Sequence, residues 1–202
     1  MLAFFGFLSS LTFILAELPY IRDVLRGTTH PHRTTWILAG SINSINVFNQ
    51  MAAGATTSLP FFVVVAVATS TIAILSIWRG TGGLSKGDIL CALIAVSGLI
   101  LWAIFRTPTV SIVANIVAAT AALIPTMIKS YKAPHTETHI TWLLGTISTI
   151  FSALSVGSLN IQLLALPLHG VLLQGIIFGI LALRTRSLAD AKSTPPDAVP
   201  TI

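Results

Sequence analysis

From Ile140 to Leu183 the chain carries no Asp, Glu, Lys or Arg. In water, helices made from such a run would have no charged face to keep them solvated. A bilayer removes that requirement. About 20 mostly apolar residues cross its hydrocarbon, so the run is long enough for two spans. It breaks at Gly157-Ser158-Leu159-Asn160, where turn-forming residues cluster. The rest of the chain follows suit: charged residues are 8% of it and hydrophobic residues 54%, against about 25% charged in an ordinary soluble domain. The pattern predicts an all-α integral membrane fold with seven transmembrane helices, at 2–21, 35–54, 59–78, 88–105, 109–129, 139–157 and 160–183. Residues 187–202, polar and holding Pro195, Pro196 and Pro200, read as a disordered tail.

A net charge of +5 invites a nucleic-acid reading, but the basic residues sit in short loops. With the N-terminus outside, the inner segments carry Arg22, Arg26, Arg33, Arg79, Lys86, Lys129, Lys132, Arg184, Arg186 and Lys192, and the outer segments only Arg106. That segregation is the positive-inside pattern. An even number of spans would spoil it. The expectation is a multi-pass protein of the plasma or inner membrane with a cytoplasmic C-terminus, whose partners are the lipid bilayer and a small molecule, not nucleic acid. Met1-Leu2-Ala3-Phe4-Phe5 lacks the basic region of a signal peptide. Cys91 is the lone cysteine, so no internal disulfide is expected.

Shifted by 106 residues, the chain matches itself without a gap. Ala16-Glu17-Leu18-Pro19 lies over Ala122-Leu123-Ile124-Pro125, Thr35-Trp36-Ile37-Leu38 over Thr141-Trp142-Leu143-Leu144, and Arg26 over Lys132. Each half reads as a helix, a proline, a basic loop, Thr-Trp and a second helix. Four membrane crossings, an even number, separate equivalent points, so the halves enter the membrane in the same sense, as parallel repeats do. The expected organisation is a first three-helix repeat at 1–80, a linker helix at 81–106, a second three-helix repeat at 107–186, and the tail.

Three helices, a linker and three more, with Pro19 and Pro125 near the cytoplasmic ends of helices 1 and 5, resemble the SWEET and PQ-loop superfamily of membrane transporters and the PnuC-type vitamin transporters. The resemblance covers the whole helical region. Where PQ-loop proteins carry Pro-Gln, this chain has Pro19-Tyr20 and Pro125-Thr126; where SWEET carriers place an asparagine on helices 3 and 7, it offers only Asn160, at the edge of helix 7. Pro19-Tyr20-Ile21-Arg22-Asp23 and His30-Pro31-His32-Arg33-Thr34-Thr35-Trp36 also resemble segments of small bacterial membrane proteins, which implies no function.

Helix 2 carries the most chemistry. Trp36, Asn43, Asn46 and Gln50 are spaced by 7, 3 and 4 residues, which puts them within about 80° of arc on one helix face. Asn49 sits at its edge. Carboxamides cannot face hydrocarbon cheaply, so the stripe is either the wall of a substrate cavity or interhelical hydrogen-bond glue. The offset brings Thr149 over Asn43 and Ser152 over Asn46, giving helix 6 a hydroxyl-bearing face. Trp36 and Trp142 begin their helices and suit an interfacial belt or substrate binding, and Trp78 and Trp102 suit a belt. Pro19 and Pro125 are hinge candidates, or simply end helices 1 and 5.

Glu17 is the single acidic residue well inside a span. It is a candidate for proton coupling, or for an ion pair with Arg22 or Arg33. His169 is the single histidine within a span, suited to a ligand or to a neighbouring polar group. His30, His32, His135 and His139 fall in loops without the spacing of a metal site. No catalytic or phosphate-binding signature stands out, and helix 7 has no lysine before Arg184 for a retinal Schiff base. Neither an enzyme nor a bound cofactor or metal is expected. The expected function is facilitated transport of a small, mostly uncharged polar metabolite, such as a sugar, vitamin or nucleoside. The alternative is a seven-helix receptor or assembly protein of the same fold that does not transport.

The charge segregation makes a direct prediction. Reporter domains fused after Arg186 should be active only in their cytoplasmic form; activity on the outer side would refute the seven-span topology.

Overall fold

A computed structural model describes residues 1–83, 85–105 and 108–193. Among them are seven α-helices: α1 (Leu2–Arg26), α2 (Arg33–Ala52), α3 (Leu59–Arg79), α4 (Lys86–Phe105), α5 (Pro108–Lys132), α6 (His139–Val156) and α7 (Ile161–Ser193), with a 3-10 turn at Pro134–Thr136 before α6. Five of them contain stretches long and apolar enough to cross a membrane: α1, α3, α5 from Ile112, α6, and α7 to Ala189. α2, with three asparagines and Gln50, is less apolar than these. The protein is thus a helical membrane protein. Arg106, Pro195, Pro196 and Pro200 lie outside the described residues, as does the side chain of Trp102.

The helix boundaries have local causes. α6 ends on Gly157, whose φ of 68° is the left-handed conformation a side chain would resist. Asn160 Oδ1 accepts from Gln162 N at 2.9 Å, capping the start of α7. The uncharged run therefore breaks at the turn cluster. α4 opens on a reciprocal cap: Ser85 Oγ accepts from Asp88 N at 3.1 Å and Asp88 Oδ2 from Ser85 N at 3.2 Å. Two expectations change. Pro19 and Pro125 do not end their helices; they lie inside α1 and α5, which run on to Arg26 and Lys132. α7 continues to Ser193, past the point where the tail was expected to begin.

Neighbour relations are regular. α3 touches both α1 and α2, and α7 touches both α5 and α6. α1 packs along α6, α2 meets α5, and α4 lies against α5 with a lighter contact to α2. Where α1 meets α6, Thr141 donates to the Ala16 carbonyl at 2.7 Å, close to the turn where Pro19 supplies no N–H. On the loop side, Thr81 pairs with His32 in a short parallel bridge. His32 Nε2 stands 3.3 Å from Asp88 Oδ1, tying the start of α4 to the start of α2. Burial holds the His32 imidazole below its ordinary range, with Asp88 pulling the other way.

The packing is inside-out relative to a soluble protein. Phe4, Phe7, Leu15 and Leu18 of α1 face outward, while Ser9 and Glu17 of the same helix are buried. Trp78 is exposed, in keeping with a belt position. Small residues let the backbones approach. A methyl added at Gly6 would run into the Thr57 carbonyl oxygen, whereas one at Gly179 would meet nothing within 4 Å. Gly6→Ala should therefore lower stability by about 1–3 kcal/mol, and Gly179→Ala should be neutral or raise it by up to about 1 kcal/mol. Thermal unfolding of the two variants in one detergent checks the contrast; equal melting temperatures would refute it.

Candidate functional site

Polar side chains on apolar helices turn inward, and six helices bring theirs to one internal cavity of about 150 Å³. α1 contributes Phe13 and Glu17, and α2 contributes Thr35, Trp36, Asn43 and Asn46. α3 brings Phe61, Phe62 and Thr69, α5 brings Asn115, α6 brings Trp142 and Thr149, and α7 brings His169, Gly170 and Gln174. No described residue of α4 lines it.

One wall is a chain of amides. Asn115 Nδ2 donates to Asn46 Oδ1, Asn46 Nδ2 to Asn43 Oδ1 at 3.4 Å, and Asn43 Nδ2 to Thr69 Oγ1 at 3.4 Å. Thr69 passes its own proton to the Val65 carbonyl at 2.7 Å. The chain links α5, α2 and α3, so these asparagines both bridge helices and line the cavity. Opposite, Thr149 spends its proton on the carbonyls of Gly145 and Thr146. His169 Nε2 meets Thr120 Oγ1 at 2.9 Å, and Thr120 also bonds the Ile116 carbonyl at 2.8 Å. A hydroxyl has one proton, so with Thr120 donating to Ile116 the imidazole donates from Nε2 and keeps Nδ1 as an acceptor.

Aromatic rings gather at the end of the cavity nearest the α1–α2 and α5–α6 loops. Trp36 and Trp142 lie 6.3 Å apart between ring centroids, and Tyr20 lies 4.9 Å from Trp36. The belt reading of the two tryptophans is overturned: each is 4% exposed, in one core cluster with Tyr20, Val24, Ile72, Ile177 and Leu181. Their indole N–H groups explain the inward position, because each has a buried partner. Trp36 Nε1 donates to the Tyr20 hydroxyl at 3.0 Å, and Trp142 Nε1 to Glu137 Oε2 at 3.2 Å. Glu137 Oε1 pairs with Lys129 Nζ at 2.6 Å, and Lys129 also donates to the His30 carbonyl. A buried ion pair on the α5–α6 loop thus fixes the Trp142 ring.

Of the residues singled out from sequence, Asn43, Asn46, Thr149, His169, Trp36, Trp142 and Glu17 line the cavity. Gln50 and Ser152 are buried but lie outside it, and so do Pro19 and Pro125. The expected ion pair of Glu17 does not form: Arg22 pairs with Asp23 at 2.9 Å, and Arg33 donates to the carbonyls of Ser76 and Gly82. Glu17 Oε2 is buried without a hydrogen-bond partner. Sequence reasoning missed Asn115, Gln174, Thr35 and Thr69. The first two carried a signal, as large amides inside otherwise apolar stretches; Thr35 and Thr69 carried none, since Ser and Thr are common in membrane helices. Among the described residues, no three His, Cys, Asp or Glu side chains converge as a metal site would require.

Comparison with protein families, with curated proteins and with solved structures finds no match.

The ion pair gives the site a stability test. Lys129→Met strands the Glu137 carboxylate and should cost about 3–5 kcal/mol. Adding Glu137→Gln should recover most of it, as read by thermal unfolding of both variants. A double variant no more stable than Lys129→Met would remove the pair as the support of Trp142.

Proposed function

We propose that this protein is a membrane transporter that moves a small polar metabolite down its gradient by alternating access. In this reading it has seven spans and a 3+1+3 plan: α1–α3 and α5–α7 are parallel triplets, and α4 links them. The observation that carries it is the cavity, lined by all six triplet helices and by no described residue of α4. A solute held between two bodies is released to one side or the other as those bodies rock, and transporter sites sit at such a repeat interface near the middle of the bilayer.

The neighbour pattern supports the plan. In each proposed triplet the third helix touches both others, and the crossings α1 with α6 and α2 with α5 exchange under the 106-residue offset. The aromatic cluster at Trp36 and Trp142 supports an inward gate, because the ten basic residues of the inner loops lie at that end of the helices.

Proteoliposome uptake tests the proposal. A panel of labelled polar solutes should include at least one taken up saturably and to equal concentration on both sides, without an energy source. Ala39→Phe puts a ring into the cavity wall and should cut that uptake about tenfold or more, with the melting temperature nearly unchanged. Saturable binding with no flux would instead make the protein a receptor.

A further inference from the structure

Part of the hydrogen-bonding capacity of the cavity lining is unused, and one of the unused groups is a carboxyl. Three side-chain atoms of its lining are buried without a partner: Glu17 Oε2, Thr35 Oγ1 and Asn115 Oδ1. One belongs to a carboxyl and one is an amide carbonyl, both acceptors when the carboxyl is ionised. His169 adds an acceptor at Nδ1, since its Nε2 proton goes to Thr120. Asn115, Asn46 and Asn43 each give one N–H within the amide chain that ends at Thr69; none of these N–H groups reaches Glu17 Oε2.

The lining lacks positive charge. Lys129 is committed to Glu137, Arg22 to Asp23, and Arg33 to two carbonyls, so among the described residues no ion pair reaches Glu17. A buried carboxylate needs a counter-charge or a proton. Aromatic rings line the cavity as well: Phe13, one turn before Glu17 on α1, meets Phe61 edge to face at 5.7 Å, with Phe62 beside Phe61, and Trp36 and Trp142 lie 6.3 Å apart. Aromatic faces attract a cation.

We infer that the solute held in this cavity carries a protonated amine, with Glu17 as its counter-ion and the aromatic side chains of the lining covering its apolar part. This rests on the cavity being a solute site, and it revises the uncharged class expected from sequence, where Glu17 was a candidate for proton coupling or for an ion pair with Arg22 or Arg33. A proton and the ammonium compete for the same carboxylate. The groups around Glu17 do not change the sign. Tyr20 on its own helix and Glu137 ahead of α6 couple to it. Thr35 and Trp36 of α2 and Gln174 of α7 do not titrate, and α3, α5 and α6 bring no titratable side chain to the cavity. Protonation of His169 in acid would repel the ammonium and act in the same direction.

Matched pairs of probes test this on the protein in detergent: glucosamine against glucose, and 4-aminobutan-1-ol against butane-1,4-diol. The amine of at least one pair should bind about tenfold or more tighter than its neutral partner, and its affinity should fall as the buffer is made more acidic. Glu17→Gln keeps the shape without the charge and should erase the preference; Glu17→Asp should keep its direction. Neutral partners binding as well as amines, no amine binding at millimolar concentration, or a preference that survives Glu17→Gln would each overturn the inference. Uptake by the same preparations separates the two readings. Flux of a neutral solute that is intact in Glu17→Gln would leave transport standing and remove the ammonium, whereas amine preference without flux would keep the ammonium and remove transport.

Discussion

Hydrocarbon cannot accept a hydrogen bond, and most of this structure follows from that one fact. In water a helix buries its apolar stripe; here the apolar residues have nothing to gain by turning inward, while every hydroxyl and amide does. α1 shows the inversion on one helix, with Phe4, Phe7, Leu15 and Leu18 outward and Ser9 and Glu17 inward. α2 shows its consequence for architecture. A helix bearing Asn43, Asn46, Asn49 and Gln50 is too polar to lie at the edge against lipid, and it is found between α3, α5 and α4. The polar groups of neighbouring helices converge on it, and a cavity is what remains where large amides and rings meet without filling the space.

The two ends of the cavity are held by different means. Toward the loops, specific bonds fix the rings: indole N–H groups reach Tyr20 and Glu137, and Lys129 neutralises Glu137. Deeper in, the amide chain from Asn115 to Thr69 joins three helices. Interhelical hydrogen bonds in membranes contribute only about 0.6 kcal/mol each on average, so that chain orients side chains more than it clamps helices. The loop end, with a buried ion pair, is the more rigid of the two.

How much of this could be read from sequence depends on whether the deciding contact is local. Helix starts were legible, because apolarity and turn residues decide them, and so was the break between α6 and α7, because Gly157 and Asn160 act within a few residues of themselves; the ends of α1 and α7 were not, because both helices run on past their apolar stretch to Arg26 and Ser193. The inward stripe of α2 was legible as a face but not in its depth: Gln50 lies on the stripe yet beyond the cavity, and nothing along one helix shows where its neighbours part. Trp36 and Trp142 were misread because a tryptophan at a helix start suits an interface unless a partner for its N–H is buried nearby, and both partners depend on tertiary packing. The ion-pair alternative for Glu17 failed for a local reason: Asp23, the next residue along the chain, claims Arg22.

The 106-residue offset also exposes an asymmetry with mechanical content. The seam between α1 and α6 is lined by small residues, among them Gly6, Ser9, Ser152 and Ser155, and the helices pack along it at close range. The seam between α2 and α5 corresponds to it under the offset but carries Asn46 where α6 has Ser152, and Asn115 where α1 has Ser9. Leu38 and Ile42 of α2 still pack with Ala118, Ala121 and Ala122 of α5, and Asn115 bonds Asn46 across the seam, but contact there is sparser than between α1 and α6. Separating α1 from α6 would forfeit close van der Waals packing along both helices. Separating α2 from α5 breaks fewer contacts, and the amides it exposes have water or a solute to bond. On the proposed transport reading, α1 and α6 form the pivot and α2 and α5 the edge that opens.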